Sequence, residues 1–241
     1  MSEIHKQLYQ LLAKTEQDSL QWSLDQVAAP QGTRHLMFLN AHGVNMARDN
    51  PAFHRAIAKA DFLLRDGIGL ELAFRALGLQ PTPNLNGTDL IPKVLSANRD
   101  KRIAVWGSSD AALAKLKTRL EDEGYTRIVS LEHGFHDDAF YVSTFAKVRP
   151  DIVVLCMGMP RQEVLAPQLG VDGHDCLIIC GGGWANFHSG HTQRAPLWVQ
   201  RLKLEWFHRL IREPRRLGRR YTLDIFSYFR TLFQIARSRK K

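Results

Sequence analysis

The chain has 241 residues, 44% of them hydrophobic, and its 33 Lys and Arg against 24 Asp and Glu give a formal charge of +9. That is enough apolar material for one sizeable core plus an appendage, and more than a small disulfide scaffold needs. No window approaches the roughly 18–20 apolar residues of a membrane span, and the N-terminus lacks a basic stretch followed by an apolar run and a small-residue cleavage site, so the chain is expected to stay in the cytoplasm.

In chain order, residues 1–30 read as a helical lead-in with Leu8, Leu11 and Leu12 at helical spacing and a packing role. Apolar runs of strand length then follow at 35–40, 61–64, 102–107, 127–131, 151–158 and 175–181. Helix-like stretches separate them at 51–59, 68–77, 88–98, 111–123, 138–148 and 161–169, several opened by a capping Asp, Asn or Thr. This alternation predicts an α/β fold, a Rossmann-like parallel sheet with helices on both faces over residues 31–193. Residues 194–241 are expected to form a basic amphipathic helical appendage. Cys156, Cys176 and Cys180 lie in or beside apolar runs and read as core thiols in a reducing compartment. Nothing else in the chain offers a zinc-finger ligand pair at the required spacing.

The excess charge is confined to the appendage. Residues 1–193 hold 19 basic and 21 acidic side chains, net −2, whereas residues 194–241 hold 14 and 3, net +11. The same tail carries eight of the 22 aromatic residues, and basic and aromatic groups together suggest an interface. Around Pro214, expected to separate two helices, cluster Arg212, Arg215, Arg216, Arg219 and Arg220, whose guanidinium forks suit diphosphates. Beyond it, Leu217, Tyr221, Ile225, Tyr228, Leu232 and Ile235 recur at helical spacing as an apolar stripe, read as facing an anionic bilayer or, alternatively, packing on the core.

In parallel α/β sheets ligands bind where strands end. The strand ends here collect Asn40, Asp66-Gly67, Gly107-Ser108-Ser109-Asp110, Gly158-Met159-Pro160-Arg161-Gln162-Glu163 and Gly181-Gly182-Gly183. Glycines let backbone amides approach phosphate and helix amino ends favour negative charge, so a nucleotide diphosphate suits this rim. Neither G-x-G-x-x-G nor G-x-x-x-x-G-K-[ST] occurs, which argues against a dehydrogenase and a P-loop NTPase. His133, His136, Asp137 and Asp138 have the residue types of a metal site, but they sit where a strand hands over to a helix and an Asp would cap it. No metal and no cofactor are expected.

These residues carry a resemblance. Asn40, the run 60–69 around Asp66-Gly67, Asn86-Gly87-Thr88-Asp89-Leu90, Gly158 to Glu163 and the series from Arg194-Ala195-Pro196 through Leu204-Glu205-Trp206 to Glu213-Pro214-Arg215-Arg216-Leu217 resemble the WecG/TagA/CpsF glycosyltransferases over about residues 36–221. The resemblance implies inverting transfer of N-acetylmannosamine, its uronic acid or glucose from a UDP-sugar to a polyprenyl diphosphate-linked sugar in cell-surface polysaccharide synthesis. It also implies metal-independent chemistry, peripheral attachment to the inner face of the cytoplasmic membrane and an appendage that closes over the site. Inversion needs one base, and by family position that base is Asp66; read from the residues alone, Asp66 could instead cap the helix it precedes. Asn40, Thr88, Asp89, Gly107, Gln162, Gly182 and Gly183 then fall to substrate binding, and Glu163 reads as a first-turn acid. Departures are Trp184 and Asn186, where the family has Ala-Phe-Asp after its glycines, and Asn84 in place of a frequent Arg. Asn186 keeps hydrogen bonding without charge, and Trp184 offers a stacking surface. The competing readings are a nucleic-acid binder with a basic tail, disfavoured because no recognition motif is present, and a non-catalytic scaffold of a polysaccharide assembly complex. Homo-oligomerisation is left open.

Overall fold

The apolar runs become strands because each alternates its side chains between two helical layers. The computed structural model describes residues 2–27, 31–170 and 173–239. Its strands are β1 Thr33–Leu39, β2 Phe62–Arg65, β3 Ile103–Gly107, β4 Ile128–Glu132, β5 Ile152–Cys156 and β6 Cys176–Cys180. They form one parallel sheet in the order β2-β1-β6-β5-β3-β4. Helix α1 (Glu3–Gln21) leads; α2 (Ala41–Asp49) and α3 (Pro51–Ala58) join β1 to β2, and α4 (Ile68–Leu77) and α5 (Gly87–Ser96) join β2 to β3. Helices α6 (Asp110–Asp122), α7 (Asp138–Val148), α8 (Arg161–Leu165) and α9 (Trp184–His188) follow β3, β4, β5 and β6 in turn. The tail is α10 (Leu197–Arg201), α11 (Glu205–Arg212), α12 (Pro214–Tyr221) and α13 (Leu223–Arg239).

Met37, Leu39, Ala104, Trp106, Val153 and Leu155 face a core shared with α1, α2, α3, α4, α7 and α13. Their neighbours Leu36, Phe38, Ile103, Val105, Ile152 and Val154 face a second core under α5, α6 and α9. A period of two along the strands therefore divides the molecule into its layers. The Rossmann-like α/β class is as expected. Leu8, Leu11 and Leu12 of α1 are buried in the first core, and the three cysteines are free and buried.

Two elements differ from expectation. Helix α2 was not read from the sequence, because Gly43 and a run of polar residues dilute its periodicity; it forms because Asn40 Oδ1 accepts the Gly43 amide at 3.0 Å. Gly43 also suits its place, since a Cβ there would lie 2.9 Å from Leu39 Cδ1. The tail is not a helix pair with one continuous stripe, because the chain breaks again at Thr222 (φ −117°, ψ −81°), between α12 and α13. Leu217, Tyr228, Leu232 and Ile235 are buried, the last three in the first core, and α13 packs on α1, α2 and α4. The stripe is thus a core-facing surface rather than a bilayer-facing one. The side chains of Arg216, Arg219, Arg220 and Tyr221 lie outside the described residues. The large apolar side chains that α13 does expose are Leu223, Phe226, Phe229 and Phe233. Among the described residues no helix is long and apolar enough to cross a membrane.

Candidate active site

Where β1, β2, β3, β5 and β6 end, their loops open into a cleft of about 1720 Å³, roofed by α10, α11 and the turn between them. A pocket for one small ligand occupies roughly 300–1,000 Å³, so this cleft has room for two substrates. Asn40, Asp66, Gly67, Asn84, Thr88, Ser108, Gln162, Gly182, Gly183 and Asn186 all line it.

Asp66 follows β2 directly, and its amide donates to Leu39 O at 2.8 Å, tying it to the end of β1. The cap position of α4 belongs to Gly67, at φ +86°, a conformation natural to glycine, which has no side chain to cap that end. Gly67 is held from the other side, its amide donating to Asn84 Oδ1 at 2.7 Å. Asn40 Nδ2 reaches Asp66 Oδ2 at 3.5 Å while Asn40 Oδ1 caps α2. Asn40 therefore anchors a helix start and orients the carboxylate, beyond any contact with substrate. Asn84, which stands where the family frequently has Arg, supports the turn beside Asp66.

The loops after β5 and β6 share one clamp. Gln162 Oε1 accepts the amides of both Gly158 and Gly182 at 3.1 Å, and its Nε2 donates to Glu163 Oε1 at 2.8 Å. Gln162 is buried, so its first task is to hold the two glycine turns together. Glu163 stands in the first turn of α8 as expected, but it is fully buried and its Oε2 finds no partner among the described residues. Burial pushes its carboxyl up to about 7.

Gly107 is required by close approach, since φ is +123° and any Cβ would run into the backbone of Cys156. It does not itself line the cleft; Ser108 does, at φ +66°, with its amide on Cys156 O at 3.1 Å and its hydroxyl on Asn186 Oδ1 at 2.5 Å. Trp184 departs from expectation. It is completely buried in the second core, stacked on His188 at 5.0 Å between ring centroids, and is not available to stack on a base or sugar. An exposed ring at the rim is Phe135, 79% accessible, on the loop after β4. Its loop is held by Arg161, which donates to Gly134 O at 2.5 Å and to His136 O. Asp137 caps α7 by accepting Phe140 N at 2.8 Å, Asp138 pairs with Arg161, and His133 and His136 stack on each other.

Thr88 reaches the cleft, but Asp89 is engaged elsewhere. Asn86 caps α5 and also donates to Asp89 at 2.8 Å, and Arg194 pairs with Asp89 and with Glu205 (2.8 Å). The hydrogen bond from Arg194 holds the Asp89 carboxyl below its usual range. Of the tail arginines singled out from sequence, Arg212 lines the cleft and Arg215 is exposed away from its lining. Arg209, not singled out, also lines it: its guanidinium lies 5.6 Å over the Phe187 ring, and its buried Nε has no partner among the described residues.

Sequence reasoning also missed a partly buried charge cluster beside Asp66. Arg65, 4% exposed at its side chain, pairs with Glu71 at 3.3 Å, and Lys203 from the tail reaches the same carboxylate at 2.9 Å. A charged residue ending a fully buried strand was the available signal. A carboxylate at the carboxyl edge of a parallel sheet, in one cleft with Arg209 and Arg212, suits transfer of a group from an anionic donor. The family model of the WecG/TagA/CpsF glycosyl transferases matches residues 8–241, nearly the whole chain, and the protein belongs to that family of glycosyltransferases.

Proposed function

We propose that the protein is an inverting glycosyltransferase of cell-surface polysaccharide synthesis, moving a hexose or N-acetylhexosamine from a UDP-sugar to a polyprenyl diphosphate-linked sugar. The observation that supports this reading is Asp66 at the end of β2, with Asn40 Nδ2 at 3.5 Å from its carboxylate, in a cleft that Arg209 and Arg212 also line. Asp66 takes the proton from the acceptor hydroxyl as that oxygen bonds to the anomeric carbon and the bond to UDP breaks on the opposite face. The departing diphosphate gathers charge, and Arg209 and Arg212 stand where guanidinium groups would stabilise it. Gln162 accepts the amides of Gly158 and Gly182 and so fixes the two glycine turns that line the cleft. Asn186 and Ser108 offer hydrogen bonds to ribose or sugar hydroxyls.

The lipid-linked acceptor places the reaction at the inner face of the cytoplasmic membrane. Exposed Leu197, Trp198, Leu202 and Ile211 beside the cleft roof, together with the outer face of α13, supply apolar contact, and the +11 tail supplies attraction to anionic lipid. The test is a panel assay of UDP-N-acetylmannosamine, its uronic acid and UDP-glucose against polyprenyl diphosphate-linked acceptors. One donor should release UDP only with acceptor present. Asp66→Asn should lower turnover by about 10²–10⁴ with donor binding retained; equal turnover would remove Asp66 as the base. No turnover from any donor, with tight RNA or DNA binding at physiological salt, would replace this reading with the nucleic-acid one.

A further inference from the structure

The cleft roof is fastened to the floor by an ion pair from Lys203. Lys203 lies in the turn between α10 and α11 with φ +60°, a left-handed conformation that a lysine rarely adopts. Its amide donates to Gln200 O at 2.9 Å and that of Leu204 to Val199 O at 3.0 Å, so the turn is tight. From this turn Lys203 Nζ crosses to Glu71 Oε2 at 2.9 Å. Glu71 is 14% exposed, and its carboxyl is held below the usual range first by Lys203 and then by Arg65.

Arg65 takes the same Oε2 at 3.3 Å and spends its other donors on the backbone around the base, Nε on Pro83 O at 3.1 Å and Nη1 on Gly67 O at 3.3 Å. Its own carbonyl accepts Leu85 N at 3.0 Å. One guanidinium therefore joins Gly67, next to Asp66, to the segment 83–85. Arg75 satisfies the other oxygen of Glu71 from the solvent side at 2.9 Å. Glu71 would thus keep two cations if the roof moved away; what would be lost is the direction of pull on Arg65.

We propose that Lys203 is a positioning residue for Asp66, acting through Glu71 and Arg65 so that the base loop takes its working geometry when the α10–α11 turn sits over the cleft. The proposal rests on the reading of Asp66 as the base. Arg65 and Lys203 meet on one oxygen of Glu71, which joins roof to floor, while the left-handed backbone at Lys203 closes the end of α10 through the amides of Lys203 and Leu204.

The test uses the full-length protein and two readouts, sugar transfer and hydrogen exchange. Lys203→Ala and Glu71→Gln should each lower turnover at least tenfold with donor binding within twofold of wild type, and the double variant should be no worse than either. Lys203→Arg should restore most of the turnover. Lys203→Gly relieves the backbone and removes the ion pair, so it should behave like Lys203→Ala; wild-type turnover in Lys203→Gly would show that only the turn matters and overturn the proposal. Arg75→Ala, which removes a partner of Glu71 without touching the roof, should leave turnover unchanged. In Lys203→Ala, exchange should rise in residues 65–69 and 83–87 together with 197–205. A rise confined to 197–205 would overturn the coupling. The exchange result holds even if no sugar transfer is found in the wild type, so failure of the glycosyltransfer reading is distinguishable from failure of this one.

Discussion

The sheet rim and the basic tail both face the cleft, yet they are held in place by different forces. At the rim, Asp66 is tied by its own amide to Leu39 O, and Gly158 and Gly182 are tied by theirs to Gln162, so positions follow from the backbone of adjacent strands. The tail is held by side chains: Arg194 with Asp89 and Glu205, Lys203 with Glu71, and the buried face of α13. Exposed ion pairs contribute only about 0–1 kcal/mol each, so the apolar face of α13 carries most of the attachment. The rim is a fixed surface, and the roof over it is an attached one whose position can respond to charge.

That contrast can be broken most severely at Tyr228. It is completely buried, and its hydroxyl donates to Gly69 O at 2.8 Å, one turn beyond Asp66. Tyr228→Ala should destabilise by roughly 3–5 kcal/mol, as for other large buried aromatics, and should loosen the tail ahead of the sheet. Denaturant unfolding followed by hydrogen exchange would check both; one cooperative loss in every element would show that rim and tail unfold as a unit.

The next effect in size belongs to the rim. Glu163 has its folded pKa raised from 4.5 to about 7 by burial, so between these values the native state binds more protons than the unfolded chain. Stability is then highest at low pH and declines as pH rises through the folded value, by roughly 3 kcal/mol in all. Glu163→Gln retains the acceptor for Gln162 and cannot ionise, so its stability should be flatter across that window. Urea midpoints at intervals from pH 4.5 to 8 measure this, and parallel curves for the two proteins would show that Glu163 is not buried as described.

The smallest effect on stability lies on the outer face of α13. Phe226 and Phe233 are 75% and 67% exposed, so Phe226→Ser/Phe233→Ser should change folding stability by no more than about 0.5 kcal/mol per site. Binding to anionic vesicles should nevertheless weaken at least severalfold. Retained vesicle binding would move the lipid contact to Leu197, Trp198 and Ile211.

Much of this was legible beforehand, and the exceptions have physical causes. The six apolar runs that became strands read clearly because buried parallel strands are largely continuous in apolar residues, and Asp66, Gln162 and Gly182 were expected at the cleft because they sit just past those runs. Helix α2 was missed because its start depends on one side chain, Asn40, and not on periodicity. Trp184 was misplaced because a tryptophan after three glycines has the same sequence signal whether it turns into the cleft or into the core. The stripe Leu217 to Ile235 was correctly apolar, but amphipathicity says only that a face will be covered.

The order of strands and loops, the glycine turns, the carboxylate at the end of β2 and the concentration of positive charge after residue 193 were all determined by the sequence itself, because each depends on neighbours along the chain. Which face of α13 is buried, that Arg209 lines the cleft, and that Arg65, Glu71 and Lys203 meet beside Asp66 were decided only by the tertiary structure. Those contacts join residues as far apart as Glu71 and Lys203, and the pairing of distant charges depends on where the packed core carries them.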